Sequence, residues 1–265
     1  MRITVLFTCY NRRDLTLNCL RRLATQGTCG AELRYVVVDD GSSDGTADAI
    51  AEEFPSVRLL KGNGSLYWCG GMRLAWAEAA KDDPDYYLLL NDDTELFPEA
   101  FEKLLQIAPS PDALMIAVAA IGDPATGKQA YGGHRRNGMV PASGKPEKCH
   151  TFNANCVLVP RSVYRKLGIF YHGFTHGMGD FDYGFQATKR GISVIQTGDF
   201  IGTCKTNPKE GTWGDRSLPR LKRLRLLESP KGLPFKEWFT FIVRNNGWRS
   251  PYYIFSPIVR ILLGK

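Results

Sequence analysis

The chain has 265 residues, 43% of them hydrophobic and 23% charged, an ordinary globular composition with room for one large or two small domains. Its seven cysteines (9, 19, 29, 69, 149, 156 and 204) are odd in number and contain no C-x-x-C pair, so they read as reduced thiols of a cytoplasmic protein rather than a disulfide scaffold. No apolar run approaches the roughly 18 residues that span a bilayer, and Asn11-Arg12-Arg13-Asp14 interrupts any N-terminal leader.

The net charge of +7 is unevenly spread. Residues 205–265 hold 13 Lys and Arg against 4 Asp and Glu, whereas residues 1–204 hold 21 against 23. The expectation is a near-neutral domain with a cationic appendage that faces phosphates.

In chain order, Ile3 to Tyr10 is an apolar, β-branched run and reads as a first buried strand. Apolar residues at 15, 17, 20 and 23 make a helical face. Leu33–Val38 is a second strand, and Asp39-Asp40-Gly41-Ser42-Ser43-Asp44-Gly45-Thr46 is the loop after it, with Asp44 or Thr46 capping a helix through Ala47–Glu53. Val57–Leu60 is a short third strand, followed by a Gly-rich loop past Trp68 and Gly70-Gly71, with a helix from about Met72 to Lys81. Tyr86–Leu90 is a fully apolar fourth strand that ends in Asn91-Asp92-Asp93-Thr94. This strand–helix alternation predicts an α/β fold with a doubly wound, mostly parallel sheet.

Taken alone, Asn91-Asp92-Asp93 is a solvated turn before the next helix. However, three strands end in polar clusters, and in open α/β sheets that edge binds ligands. Adjacent carboxylates repel unless something positive sits between or beside them, and a divalent cation carrying a phosphate meets that need. The first turn, Tyr10-Asn11-Arg12-Arg13, lacks the Gly-x-Gly-x-x-Gly of a dinucleotide fold, and no Walker A sequence exists. Any nucleotide phosphates would therefore be held by a metal rather than by a glycine cradle.

Thr8-Cys9-Tyr10-Asn11-Arg12, Val37-Val38-Asp39-Asp40-Gly41-Ser42-Ser43-Asp44-Gly45-Thr46 and Leu90-Asn91-Asp92-Asp93-Thr94, in that order, resemble family 2 glycosyltransferases of the GT-A fold. The likeness is to bacterial polysaccharide or rhamnosyltransferase-like members. It implies an inverting, metal-dependent hexosyl- or deoxyhexosyltransferase that uses a nucleotide-diphosphate sugar, of UDP or dTDP type, with Mn²⁺ or Mg²⁺. By the same resemblance Thr8, Tyr10 and Asp40 hold base and ribose, with Asn11 and Asp39 beside them. Asp93 is the direct metal ligand, and Asp92 meets ribose or a metal-bound water. Trp68 either stacks on a base or sugar or belongs to the core. Arg73 either meets the diphosphate or is a solvated helix residue.

Residues 1–110 then form the nucleotide-sugar half of a 1–204 domain, and 111–204 the acceptor and catalytic-base half. Ala113–Gly122 reads as a strand, 123–150 as a long loop or hairpin over the site, and Thr151–Arg161 as one strand before a helix over 162–167. Gly179-Asp180-Phe181-Asp182 stands where the family carries Glu-Asp-x-Asp, so the Glu is missing and Asp180 matches the catalytic base. His172 and His176 read as structural or acceptor-side residues. Ile192–Gln196 is a late strand, and the His that follows it in many relatives is replaced by Gly202-Thr203-Cys204-Lys205-Thr206. Either water and diphosphate fill that place, or Lys205 supplies part of the charge.

Residues 205–265 form a basic, aromatic-rich helical extension. Leu at 218, 221, 224, 226 and 227 among Arg and Lys predicts a basic amphipathic helix over 216–227. Trp238, Phe239, Trp248, Tyr252, Tyr253 and Phe255 follow. They suit either an anionic membrane surface, reached by a cytoplasmic protein at the inner face of the cell membrane, or packing on the core or in a dimer. The expected acceptor is a glycan or a polyprenyl-linked carrier in cell-envelope polysaccharide synthesis. Two rivals remain: a sugar nucleotidyltransferase and a non-catalytic glycan-binding scaffold.

Overall fold

The computed structural model describes residues 1–264, with the side chain of Trp248 outside that set. Its strands are β1 (Arg2–Cys9), β2 (Glu32–Asp39), β3 (Arg58–Lys61), β4 (Tyr86–Leu90), β5 (Glu95–Leu96), β6 (Met115–Gly122), β7 (Gln129–Tyr131), β8 (Gly133–Arg135), β9 (Gly138–Met139), β10 (Glu147–Cys149), β11 (Thr151–Phe152), β12 (Cys156–Pro160) and β13 (Ser193–Thr203). The helices are α1 (Arg13–Ala24), α2 (Thr46–Glu53), α3 (Tyr67–Ala79), α4 (Ala100–Ile107), α5 (Arg161–Leu167), α6 (Gly179–Lys189), α7 (Arg220–Leu227), α8 (Phe235–Asn246), α9 (Ser250–Ile254) and α10 (Ser256–Leu262).

Among the described residues the main sheet runs β10-β13-β6-β12-β4-β1-β2-β3, with β5 and β7 pairing at its far side. The β3, β2, β1 and β4 block is parallel, and β12 then runs antiparallel between β4 and β6. Successive strand side chains point to opposite faces, and both faces are covered. Ile3, Val5 and Phe7 of β1 join Leu17 and Leu20 of α1, Ile50 of α2 and Phe101 of α4. On the other face Leu6, Tyr87 and Leu89 meet Met72 and Trp76 of α3, Tyr183 of α6 and Phe241 of α8. Every residue of β4 is buried. Each such large side chain contributes roughly 1.5–3 kcal/mol, so the strand ending in the paired acids is anchored along its whole length.

Three expectations need correction and one is sharpened. Helix α3 starts at Tyr67, five residues before the expected Met72, because Gly70 and Gly71 lie inside it. A Cβ on Gly71 would stand 2.2 Å from the Thr8 hydroxyl, so Gly71 lets the helix lie against β1 instead of marking a loop. The stretch 123–150, expected as a long loop or hairpin, holds four short strands, β7 to β10, of which β8 and β9 form a hairpin, each too short for its periodicity to show. The single strand expected over 151–161 is two, β11 and β12, parted by Asn153-Ala154-Asn155. Helix α7 begins only at Arg220, and its face is turned from the expected one: Arg223 is buried and donates from Nε to the Trp213 carbonyl at 2.9 Å, while Leu221 is 74% exposed.

The tail packs in part on the body. Helix α8 buries Phe241 and Ile242 against α6 and the loop before it. No described helix is long and apolar enough to cross a membrane.

Candidate active site

The ends of β1 and β2 are sewn together by short polar side chains. Asn11 adopts a positive φ of 50°, a conformation Asn tolerates better than most residues. Its N–H donates to Ser42 Oγ at 2.9 Å, and its Oδ1 accepts from the Ser43 N–H at 2.7 Å. Asp39 accepts from the Ser42 N–H, and Asp44 accepts from the N–H groups of Arg13 and Thr46. Thr8 donates its hydroxyl to the Val38 carbonyl at 3.1 Å. Asp40 is buried and uses both oxygens on backbone, the Gly64 N–H at 2.9 Å and the Tyr67 N–H at 3.0 Å. It therefore shapes the loop that leads into α3. Tyr10 projects from this edge with 53% of its surface exposed.

Trp68 is half-buried, its ring 5.5 Å from that of Phe170, and its Nε1 donates to Asn91 Oδ1 at 2.8 Å. It braces the residue that precedes the acids. Arg73 spends its Nη1 on the carbonyls of Tyr171 and Phe174 and on Cys69 Sγ. It clasps the loop before α6 rather than standing as a solvated helix residue.

The paired acids have a partner that the sequence reading assigned no role. Arg12, the N-cap residue of α1, forks across them: Nη1 lies 2.7 Å from Asp92 Oδ1 and Nη2 lies 2.7 Å from Asp93 Oδ2. Thr16 donates to the other oxygen of Asp92 at 3.2 Å, and Cys204 Sγ donates to the other oxygen of Asp93 at 3.5 Å. Burial pushes the Asp92 carboxyl up to about 6, against the opposing pull of Arg12 and with a smaller push from Asp93. The signal was available: adjacent acids require a cation, and Arg12 stood in the first strand-end motif.

Cys204 holds the place after the last strand where a His was looked for. Burial, then the Asp93 charge, push its thiol up to about 12, so it remains an S–H donor. Lys205 is exposed, and neither His172 nor His176 bonds to the acids. Burial and Lys231 together lower the His176 pKa. Among the described residues no three His, Cys, Asp or Glu side chains cluster to hold a metal. The donor set is two carboxylates. Hard oxygen donors of that number suit a Mg²⁺- or Mn²⁺-type ion that takes its remaining ligands from phosphate and water. In donor chemistry the site fits.

Asp180 sits in the first turn of α6, half-buried. Its Oδ2 accepts from the Ala154 N–H at 3.1 Å and its Oδ1 from the Phe181 N–H at 2.8 Å. Burial pushes its pKa up to about 6, although these backbone bonds pull it down. One residue on from Ala154, the Asn155 carbonyl accepts from the Asn91 N–H at 3.0 Å. The break between β11 and β12 thus ties Asp180 to the strand end that carries Asp92 and Asp93. Asp182, two residues further along α6, is buried in a fork from Arg244 of α8, at 2.9 Å to each oxygen.

The mostly parallel α/β sheet thus carries paired acids beyond one strand end, tied through residues 154–155 to a carboxyl with a raised pKa. Over residues 4–168, more than half its length, the chain matches Glycosyl transferase family 2, and it belongs to that family. No curated protein gives a significant match by sequence. Among solved structures it is similar to the mannosyltransferase PcManGT from Pyrobaculum calidifontis in complex with GDP-Man and Mn²⁺, at 18% identity and a TM-score of 0.61, covering 99% of this chain and 70% of that one. It is also similar to S. aureus TarS 1-349 in complex with UDP-GlcNAc, at 13% identity and a TM-score of 0.63, covering 100% and 72%. A third likeness is GalNAc-T7 with UDP, GalNAc and Mn²⁺, at 14% identity and a TM-score of 0.60, covering 86% of this chain and 48% of that one. At these identities the likeness establishes the GT-A fold.

Proposed function

We propose that the protein is an inverting glycosyltransferase that moves a hexose or deoxyhexose from a UDP- or dTDP-sugar to a hydroxyl of a glycan or polyprenyl-linked acceptor in cell-envelope polysaccharide synthesis. The observation that carries the reading is the pairing of Asp180, held near pH 6 by burial, with the Asp92–Asp93 strand end through Ala154 and Asn155. Family membership and the nucleotide-sugar complexes of the structural neighbours support the donor class.

In this reading Asp180 accepts the proton of the acceptor hydroxyl as that oxygen attacks the anomeric carbon. The new glycosidic C–O bond forms while the bond to the nucleoside diphosphate breaks on the opposite face, so the anomeric centre inverts. A divalent cation, Mn²⁺ or Mg²⁺, would be held by Asp93, with Asp92 beside it, and would neutralise the departing diphosphate. Tyr10 offers its exposed ring to the base, and Thr8, Asn11, Asp39 and Asp40 hold the loops that surround base and ribose. Trp68 fixes Asn91 at the strand end. Asp180→Asn should lower transfer roughly 10²–10⁴-fold while nucleotide binding persists. Unchanged turnover with a productive donor and acceptor would refute the base assignment. Thermal shifts with UDP, dTDP, GDP and CMP in the presence of Mn²⁺ select the donor base.

The same reading places the tail on an anionic lipid surface at the inner face of the cell membrane. Phe239, Val243, Tyr252, Phe255, Val259 and Leu262 are exposed, and the tail carries the chain's basic excess. The intact protein should sediment with anionic liposomes at low salt and release at high salt. Failure to sediment would remove the lipid surface from the proposal.

A further inference from the structure

The fork of Arg12 occupies the point where a cation would meet both acids. Each terminal nitrogen lies 2.7 Å from an oxygen of a different carboxylate, so one guanidinium bridges two neighbouring negative charges and offsets one of them. A divalent ion bound to those same two oxygens would face a fixed positive charge at contact distance. The two cations therefore exclude each other.

Arg12 is also placed to leave. Among the described residues its side chain hydrogen-bonds to nothing except the two acids. It is 39% exposed, while the Asp92 side chain is 2% exposed, so the guanidinium forms the outer wall of the pair. Both acids keep a second partner if it departs, Thr16 for Asp92 and Cys204 for Asp93. A planar guanidinium presents five donors, of which the fork uses two. A diphosphate arriving from solvent can recruit the same group by the bidentate geometry Arg shares with phosphate oxygens.

We propose that Arg12 is the built-in occupant of the cation seat between Asp92 and Asp93. A divalent ion enters by displacing it, and tight uptake waits for a diphosphate that receives the freed guanidinium. The inference rests on the reading of these acids as the cation site, and goes beyond it by giving the chain its own competitor for that site.

The test measures Mn²⁺ alone on the full-length protein without nucleotide, by electron paramagnetic resonance of free Mn²⁺ or by calorimetry. Arg12→Met should bind Mn²⁺ about tenfold more tightly than wild type, the order expected when one competing charge is removed. Saturating UDP or GDP, whichever binds, should tighten Mn²⁺ binding in wild type by a larger factor than in Arg12→Met, because only wild type has an occupant to displace. Arg12→Lys, which keeps the charge but cannot fork across both acids, should fall between the two. It serves as the second variant if Arg12→Met fails to fold. Equal or weaker Mn²⁺ binding in the variants, or equal coupling to the nucleotide, overturns the proposal. Asp93→Ala separates the two layers. If Mn²⁺ binding survives that change undiminished, the acids are not the cation site and the broader reading fails with it. If binding is lost there yet Arg12→Met equals wild type, only the role of Arg12 falls.

Discussion

Two guanidinium forks stand in this molecule, Arg12 on Asp92 and Asp93 and Arg244 on Asp182, and they are built for different fates. Arg12 reaches two acids that repel each other, and it alone spans them. Arg244 spends Nε and Nη2 on the single acid Asp182, lies 4.1 Å above the Tyr171 ring, and is joined by Asn245, which adds a bond of 2.8 Å to the same carboxylate. The second fork is charge-matched and held by a ring face and an amide as well as by its acid, a strut between α8 and α6. The first leaves one negative charge uncompensated. Identical chemistry therefore yields a fixed brace in one place and a replaceable plug in the other. What decides is the number of acids per guanidinium and the further contacts that hold it.

The largest effect tests the neighbour of the strut. Asp180 and Asp182 are two residues apart on α6, yet only Asp180 is assigned to chemistry. Asp180→Asn should cost roughly 10³-fold in turnover and leave the fold intact, whereas Asp182→Asn should be visible first in the melting temperature. Arg244→Met comes next. It strands a buried carboxylate with only Asn245 as donor and should destabilise by about 3 kcal/mol, a fall of roughly 5–10 °C in thermal unfolding. Gly71→Ala, which drives a Cβ into Thr8, should cost about 2 kcal/mol by the same measurement. Arg12→Met should cost least, about 1 kcal/mol, because its fork is partly open to water. If Arg12→Met and Arg244→Met melt alike, the distinction between plug and brace is lost.

Proton linkage sharpens the contrast further. The Asp180 pKa is raised in the folded chain, so the stability it contributes is complete at low pH and is lost as pH rises from about 4 through about 6. Asp180→Asn should remove part of that decline in thermal unfolding compared at pH 4.5 and pH 7. In kinetics the sign is opposite: the base works deprotonated, so kcat/KM should fall about tenfold per unit below pH 6.

The first half of the fold was readable because its strands are long enough to carry a pattern. Tyr86–Leu90 is wholly buried as an unbroken apolar run should be, and the three polar strand ends do gather at one edge. What escaped reading was local sequence outvoted by packing. Gly70 and Gly71 look like a loop, yet both lie inside α3, and Gly71 serves its close approach to β1. Asn153-Ala154-Asn155 reads as part of one strand over 151–161, yet the chain leaves the ladder there. Arg223 reads as a solvated face but turns inward, because the Trp213 carbonyl awaits it. The role of Arg12 depends on a contact across 80 residues of chain, and spacing along the sequence carries no record of such a contact.

The interruption between β11 and β12 has a consequence for how this enzyme can evolve. Main-chain groups of adjacent residues, the Ala154 N–H and the Asn155 carbonyl, hold Asp180 on one side and Asn91 on the other. In the proposed mechanism the gap between proton removal and leaving-group departure is thus gauged by the length of the backbone itself. Side-chain substitutions around the cleft can retune donor or acceptor without disturbing that gauge. A single inserted residue at 154 would lengthen it by one peptide unit, and should silence the reaction while the protein still folds.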